Sequence, residues 1–129
     1  MAANVERIQQ QLQTELEKYK AHQIDLQKSV STRQQLDAQL SENTVVKEEL
    51  DKISSDGNVY KLIGPVLVKQ DLEEAKQTVS KRIDYINGEI KRQDGMINEM
   101  EKKQTVSRES LNKLQNDYQQ FMTKAAMKA

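Results

Sequence analysis

The chain has 129 residues, 36% apolar and 31% charged, with no tryptophan, one phenylalanine, and 20 basic residues set against 20 acidic ones. Abundant Gln, Glu, Lys and Leu with few Gly and one Pro exclude a thick globular core and favour long helices sharing a thin seam. Balanced charge gives no net field to draw nucleic acid or anionic lipid, and the absence of cysteine excludes disulfides, thiolate zinc sites and thiol catalysis.

The opening Met1–Arg7 lacks the apolar core of a signal peptide. No apolar run approaches the roughly 20 residues that span a bilayer. The expected compartment is therefore the cytoplasm, with the nucleus left open.

A first helix is predicted over about residues 4–53, roughly 75 Å long. Val5, Leu12, Tyr19, Leu26, Arg33, Leu40 and Lys47 form one heptad column; Ile8, Glu15, His22, Ser29, Leu36, Asn43 and Leu50 form the other. The columns are apolar at both ends and polar in the middle. Ser54-Ser55-Asp56-Gly57 should stop the helix, with Gly57 free to take a positive φ.

The pattern then changes. Val59, Tyr60, Ile63, Val66 and Val68 suit a pleated surface, and Gly64-Pro65 divides them into two short runs. A β-hairpin is predicted over about 58–69. Alone it would be marginally stable, with edges that invite another chain.

A second helix is predicted over about 71–125, with Asp71 as its N-cap or a first-turn residue and Glu73 and Glu74 suiting the dipole. Leu72, Val79, Ile86, Gln93, Met100, Ser107, Leu114 and Phe121 make one column; Lys76, Ile83, Ile90, Ile97, Gln104, Leu111 and Tyr118 make the other. Asn87-Gly88 and Asp94-Gly95 are turn-forming dipeptides, yet the heptad phase runs through both, so both read as helical. The tail Lys124–Ala129 is expected to fray.

Two helices joined by a short strand pair must fold back on each other. The fold class is therefore mainly α: an antiparallel two-helix coiled coil with one β-hairpin between the helices. Opposed residues should have numbers totalling about 124, which sets Leu50 against Leu72 and Leu26 against Ile97 and Met100. Glu15 and His22 then fall near Gln104 and Ser107 in a weak polar layer.

The runs Val59–Gln70, Gln39–Leu50 and Lys81–Ile86 resemble the β-class subunits of the prefoldin family, and the likeness extends over nearly the whole chain as a single domain, 1–129. One hairpin rather than two agrees with the β class. The resemblance implies a hexamer of two α-class and four β-class subunits, so that this chain would meet two α-class and three further β-class partners. The hairpin residues Val59, Tyr60, Leu62, Ile63, Gly64, Pro65, Val66, Leu67 and Val68 would join an intersubunit β-barrel. Arm tips would hold non-native actin and tubulin and pass them to the group II chaperonin, with no nucleotide and no other cofactor.

On this chain the tip residues offered to a client would be Val5, Ile8, Leu12, Leu114, Tyr118, Phe121 and Met122. Ordinary seam packing is an equal reading of the Tyr118–Met122 group, and both can hold. A structural coiled-coil scaffold within a related assembly is the alternative function. An enzyme has no residue to support it: His22 lacks a second ligand at metal spacing, and Gly57 and Gly64 lack the lysine and hydroxyl of a phosphate loop.

Overall fold

The structure, a computed structural model, describes residues 2–128. Its elements run α1 (Ala2–Asp51), β1 (Val59–Ile63), β2 (Val66–Gln70) and α2 (Leu72–Lys128). The fold is that of two long helices with an antiparallel two-stranded hairpin between them.

The heptad columns define what leaves solvent. Every column residue of α1 from Val5 to Asn43, and Leu50, is buried or half-buried. Lys47 is the exception and stays exposed. In α2 both columns are withdrawn from solvent from Leu72 to Phe121, and the helix passes through Gly88 and Gly95 unbroken.

The ends of the helices are made locally. α1 closes with the amides of Lys52 and Ile53 donating to the carbonyls of Glu49 and Leu50, each at 3.2 Å. These i→i+3 bonds end the helix earlier than the residue-53 boundary expected from the pattern. At the start of α2, Asp71 Oδ2 accepts from the Glu74 amide at 3.2 Å, so of its two expected roles Asp71 takes that of the N-cap. α2 extends to Lys128, beyond the expected end near residue 125, through alanine, lysine and methionine of high helix propensity. Ala129 lies outside the described residues.

The expected positive φ at Gly57 is not found; among the described glycines only Gly64 has one. Gly57 is instead a matter of space. A Cβ there would lie 2.3 Å from Ile53 Cγ2 and 3.1 Å from the Ser54 carbonyl oxygen. Its amide donates to that carbonyl at 2.8 Å, which folds the connection tightly over the end of α1.

The chain forms two compact units. In the one comprising Ser31–Asp94, Leu50, Ala75 and Val79 form a buried cluster, with Ile53, Val59, Leu72 and Ile83 packed around it. Arg33, in a seam column among leucines, donates from Nε to Asp94 Oδ1 across the helix pair at 2.7 Å and from Nη1 to Asp37 on its own helix. The bond to Asp94, followed by that to Asp37, raises the guanidinium pKa above its ordinary value. Gln93 is buried in the same unit with no partner for its Oε1.

The other unit comprises Met1–Val30 and Gly95–Ala129. There Ser29 Oγ donates to Met100 Sδ at 3.7 Å, and Gln9 Nε2 donates to the Tyr118 hydroxyl at 3.4 Å. Glu15 and His22 line one shallow cavity with Ser107, three of the four residues expected in the polar layer; Gln104 does not line it.

The contacting pairs Arg33–Asp94 and Gln9–Tyr118 total 127, and Ser29–Met100 totals 129, against the expected 124. Side chains lean toward the N-terminus of their own helix, so touching tips sit about one position beyond the backbone level on each helix. Allowing for that lean brings the backbone register close to the expected one.

Candidate functional site: the unpartnered hairpin

The register pairs Val59 with Gln70, Tyr60 with Lys69, Lys61 with Val68, Leu62 with Leu67 and Ile63 with Val66. A two-residue loop, Gly64-Pro65, connects the strands. Gly64 sits at φ 56°, and proline is held near −65°, so the loop is a type II′ turn whose twist matches that of the strands.

Side chains alternate between the two faces of the hairpin. Tyr60, Leu62, Leu67 and Lys69 share one face. Ile63, Val66 and Val68 share the other with Lys61, and Val59 and Gln70 lie at its root. Tyr60, Leu62, Ile63, Val66, Leu67 and Val68 are all exposed, Leu62 at 67% and Leu67 at 66%.

An antiparallel sheet ordinarily buries one face and wets the other. This hairpin is apolar on both faces and covered on neither beyond its root, and among the described residues the outer edges of both strands are unpaired. Such a surface calls for protein on two sides and at two edges.

Val59 differs from the other hairpin residues. It is half-buried against the Leu50–Ala75–Val79 cluster and anchors the hairpin root to the helices. Gly64 and Pro65 are exposed at the turn.

The family model described as prefoldin subunit matches residues 13–118. The chain belongs to the prefoldin family.

It is 52% identical over 114 residues to prefoldin subunit 6 of Homo sapiens, covering 88% of this chain and 88% of that one. Against the probable prefoldin subunit 6 of Drosophila melanogaster it is 46% identical over 116 residues, 90% of each. Its fold is like that of the crystal structure of the prefoldin beta subunit from Thermococcus strain KS-1. There the TM-score is 0.55 at 24% identity, over 85% of this chain and 90% of that one. Prefoldin-family chains are subunits of chaperone complexes and are not enzymes. The exposed hairpin gives such a subunit a surface suited to assembly.

The residues expected to meet clients lie in the unit that pairs the start of α1 with the end of α2. Val5, Ile8, Leu12, Leu114, Tyr118 and Phe121 are half-buried along the seam, and only Met122 is exposed. The heptad columns imply this, since six of the seven belong to them. A feature the sequence reading did not single out is an apolar groove beside α2, between Tyr85 and Ile86 on one helix and Gln39 and Asn43 on the other. Tyr85 falls outside both heptad columns, and its exposure of 69% marks it out.

Proposed function

We propose that the chain is a β-class subunit of a hetero-hexameric chaperone that works without nucleotide in the cytoplasm. Two α-class and three further β-class subunits would complete the assembly through a shared β-barrel. The single observation that supports this is the hairpin, apolar on both faces and open at both edges.

Clients would be non-native proteins, actin and tubulin foremost, handed on to the group II chaperonin. The surface for them would be the terminal unit: Val5, Ile8, Leu12, Leu114, Tyr118, Phe121 and Met122. Half-buried seam residues can serve a client only if the helices part locally there. The buried serines Ser29 and Ser107 in the same unit contribute little apolar burial to hold them together. Several subunits acting at once would multiply individually weak contacts.

A second reading is a structural scaffold subunit, which the seam burial of those same residues favours. One experiment separates the two. In the assembled complex, Val5, Ile8, Tyr118 and Phe121 are replaced together by serine, and suppression of actin aggregation is measured beside the native mass. Loss of suppression by an intact hexamer supports the chaperone; unchanged suppression refutes the terminal assignment.

A further inference from the structure

The groove beside α2 continues into a second depression at the root of the hairpin, the two sharing Thr78 and Arg82. Both lie wholly within residues 31–94, one compact unit. One wall follows α1 through Gln39, Asn43, Val46 and Leu50, spaced i, i+4, i+7 and i+11 along one helix face. That span is about 16 Å of helix. The opposite wall carries Thr78, Arg82 and Tyr85 on one flank of α2.

The charge of this groove is one-sided. Lys61, Lys81 and Arg82 line it, and no aspartate or glutamate does, in a chain whose acids and bases balance. Among the described residues none of these three cations takes part in an ion pair. Some helix cations are paired with acids three residues away, as Lys76 is with Glu73 and Arg92 with Glu89, so what sets the groove apart is that its lining holds three cations and no acid. The floor is apolar, and Tyr85 and Val46 stand exposed at its sides.

We propose that this groove is a second contact between subunits, filled by an acidic segment of the neighbouring chain that places an apolar side chain against Tyr85 and Ile86. Two observations select a subunit over a client as occupant. The groove is continuous with the hairpin surface, because Val59, Tyr60 and Lys61 line its lower end. A chain that docks on the free edge of β1 is thereby led into it. Its cations are also left open for carboxylates of a partner, which gives register and orientation to the contact. The proposal rests on the assembly reading above and adds a second point of attachment to it.

The test is site-specific photocrosslinking in the full complex expressed in its source cells. Two variants are made, Tyr85→p-benzoylphenylalanine in the groove and Leu62→p-benzoylphenylalanine on the hairpin. The expected result is a crosslink from each position to another subunit, with the Tyr85 product mapping to an acid-containing segment. Adding Lys81→Glu and Arg82→Glu should cut the Tyr85 product and speed exchange of the subunit about tenfold, while the Leu62 product persists. Crosslinking of Tyr85 only to a client, or to nothing, while Leu62 still reaches a subunit would overturn the groove and leave the hairpin assembly standing. So would a Tyr85 product indifferent to the charge reversal. A monomeric chain with no crosslink from either position would overturn both.

Discussion

Leu62 and Leu67 stand directly opposite each other across the hairpin, and each leaves about two-thirds of its surface in water. Neither contributes to the helix seam, and in the proposed assembly both would be covered by a neighbouring chain. Replacing both with aspartate should abolish assembly while leaving the helices folded. Native mass would fall to that of the monomer, and far-ultraviolet circular dichroism would keep its helical amplitude. A hexamer that survives both aspartates would show that the hairpin is not the point of attachment.

The glycines divide into opposite cases. At Gly57 the nearest atom to an added Cβ is Ile53 Cγ2, fixed to a β-branched carbon that cannot swing aside, with backbone oxygen close behind. Gly57→Ala should destabilise the isolated chain by about 1–3 kcal/mol through overpacking. At Gly88 and Gly95 an added Cβ meets nothing within 4 Å, and both residues are helical. Each alanine there should stabilise by about 0.5–1 kcal/mol, chiefly by restricting the unfolded chain. Thermal melts of the three variants should therefore shift in opposite directions, down for the first and up for the others.

The seam was legible because heptad spacing reports burial directly, and the unbroken phase across Ile83, Ile86, Ile90, Ile97 and Met100 outweighed two turn dipeptides. The hairpin was legible from β-branched residues around Gly64-Pro65. What periodicity could not show was pairing outside the columns. Arg33 occupies a column, but Asp94 does not, so the cross-helix bond appears only when register and side-chain reach are both known. The reason for Gly57 was equally hidden, since close approach to Ile53 depends on how the connection folds back. The groove at Tyr85 joins residues about forty positions apart, Gln39 with Thr78 and Asn43 with Arg82, and no local pattern announces it.

The Arg33–Asp94 bond ties the two helices together within the Ser31–Asp94 unit, but both side chains retain contact with water. Its strength should therefore follow salt. In a double-mutant cycle with Arg33→Gln and Asp94→Asn, the coupling measured by urea unfolding should be favourable at low ionic strength. It should shrink toward zero as salt rises to 1 M, where the screening length falls to about 3 Å. Coupling that ignores salt would assign the pair to packing rather than charge.

Gln93 sits in a column otherwise made largely of Leu, Val, Ile and Met, 6% exposed, with Oε1 buried and unpaired. A buried acceptor without a donor costs about 1–3 kcal/mol, so removing it while keeping the volume should be favourable. Gln93→Leu is expected to raise the stability of the isolated chain by about that amount, read as a higher midpoint of urea unfolding with an unchanged slope. The gain comes with a loss of selectivity, because a polar residue in a seam disfavours any alignment that sets apolar residues against it. The leucine variant should accordingly form self-associated coiled coils when its partner subunits are absent, detectable by sedimentation. A variant that is less stable than the parent would mean that Oε1 has a donor, such as ordered water, in solution.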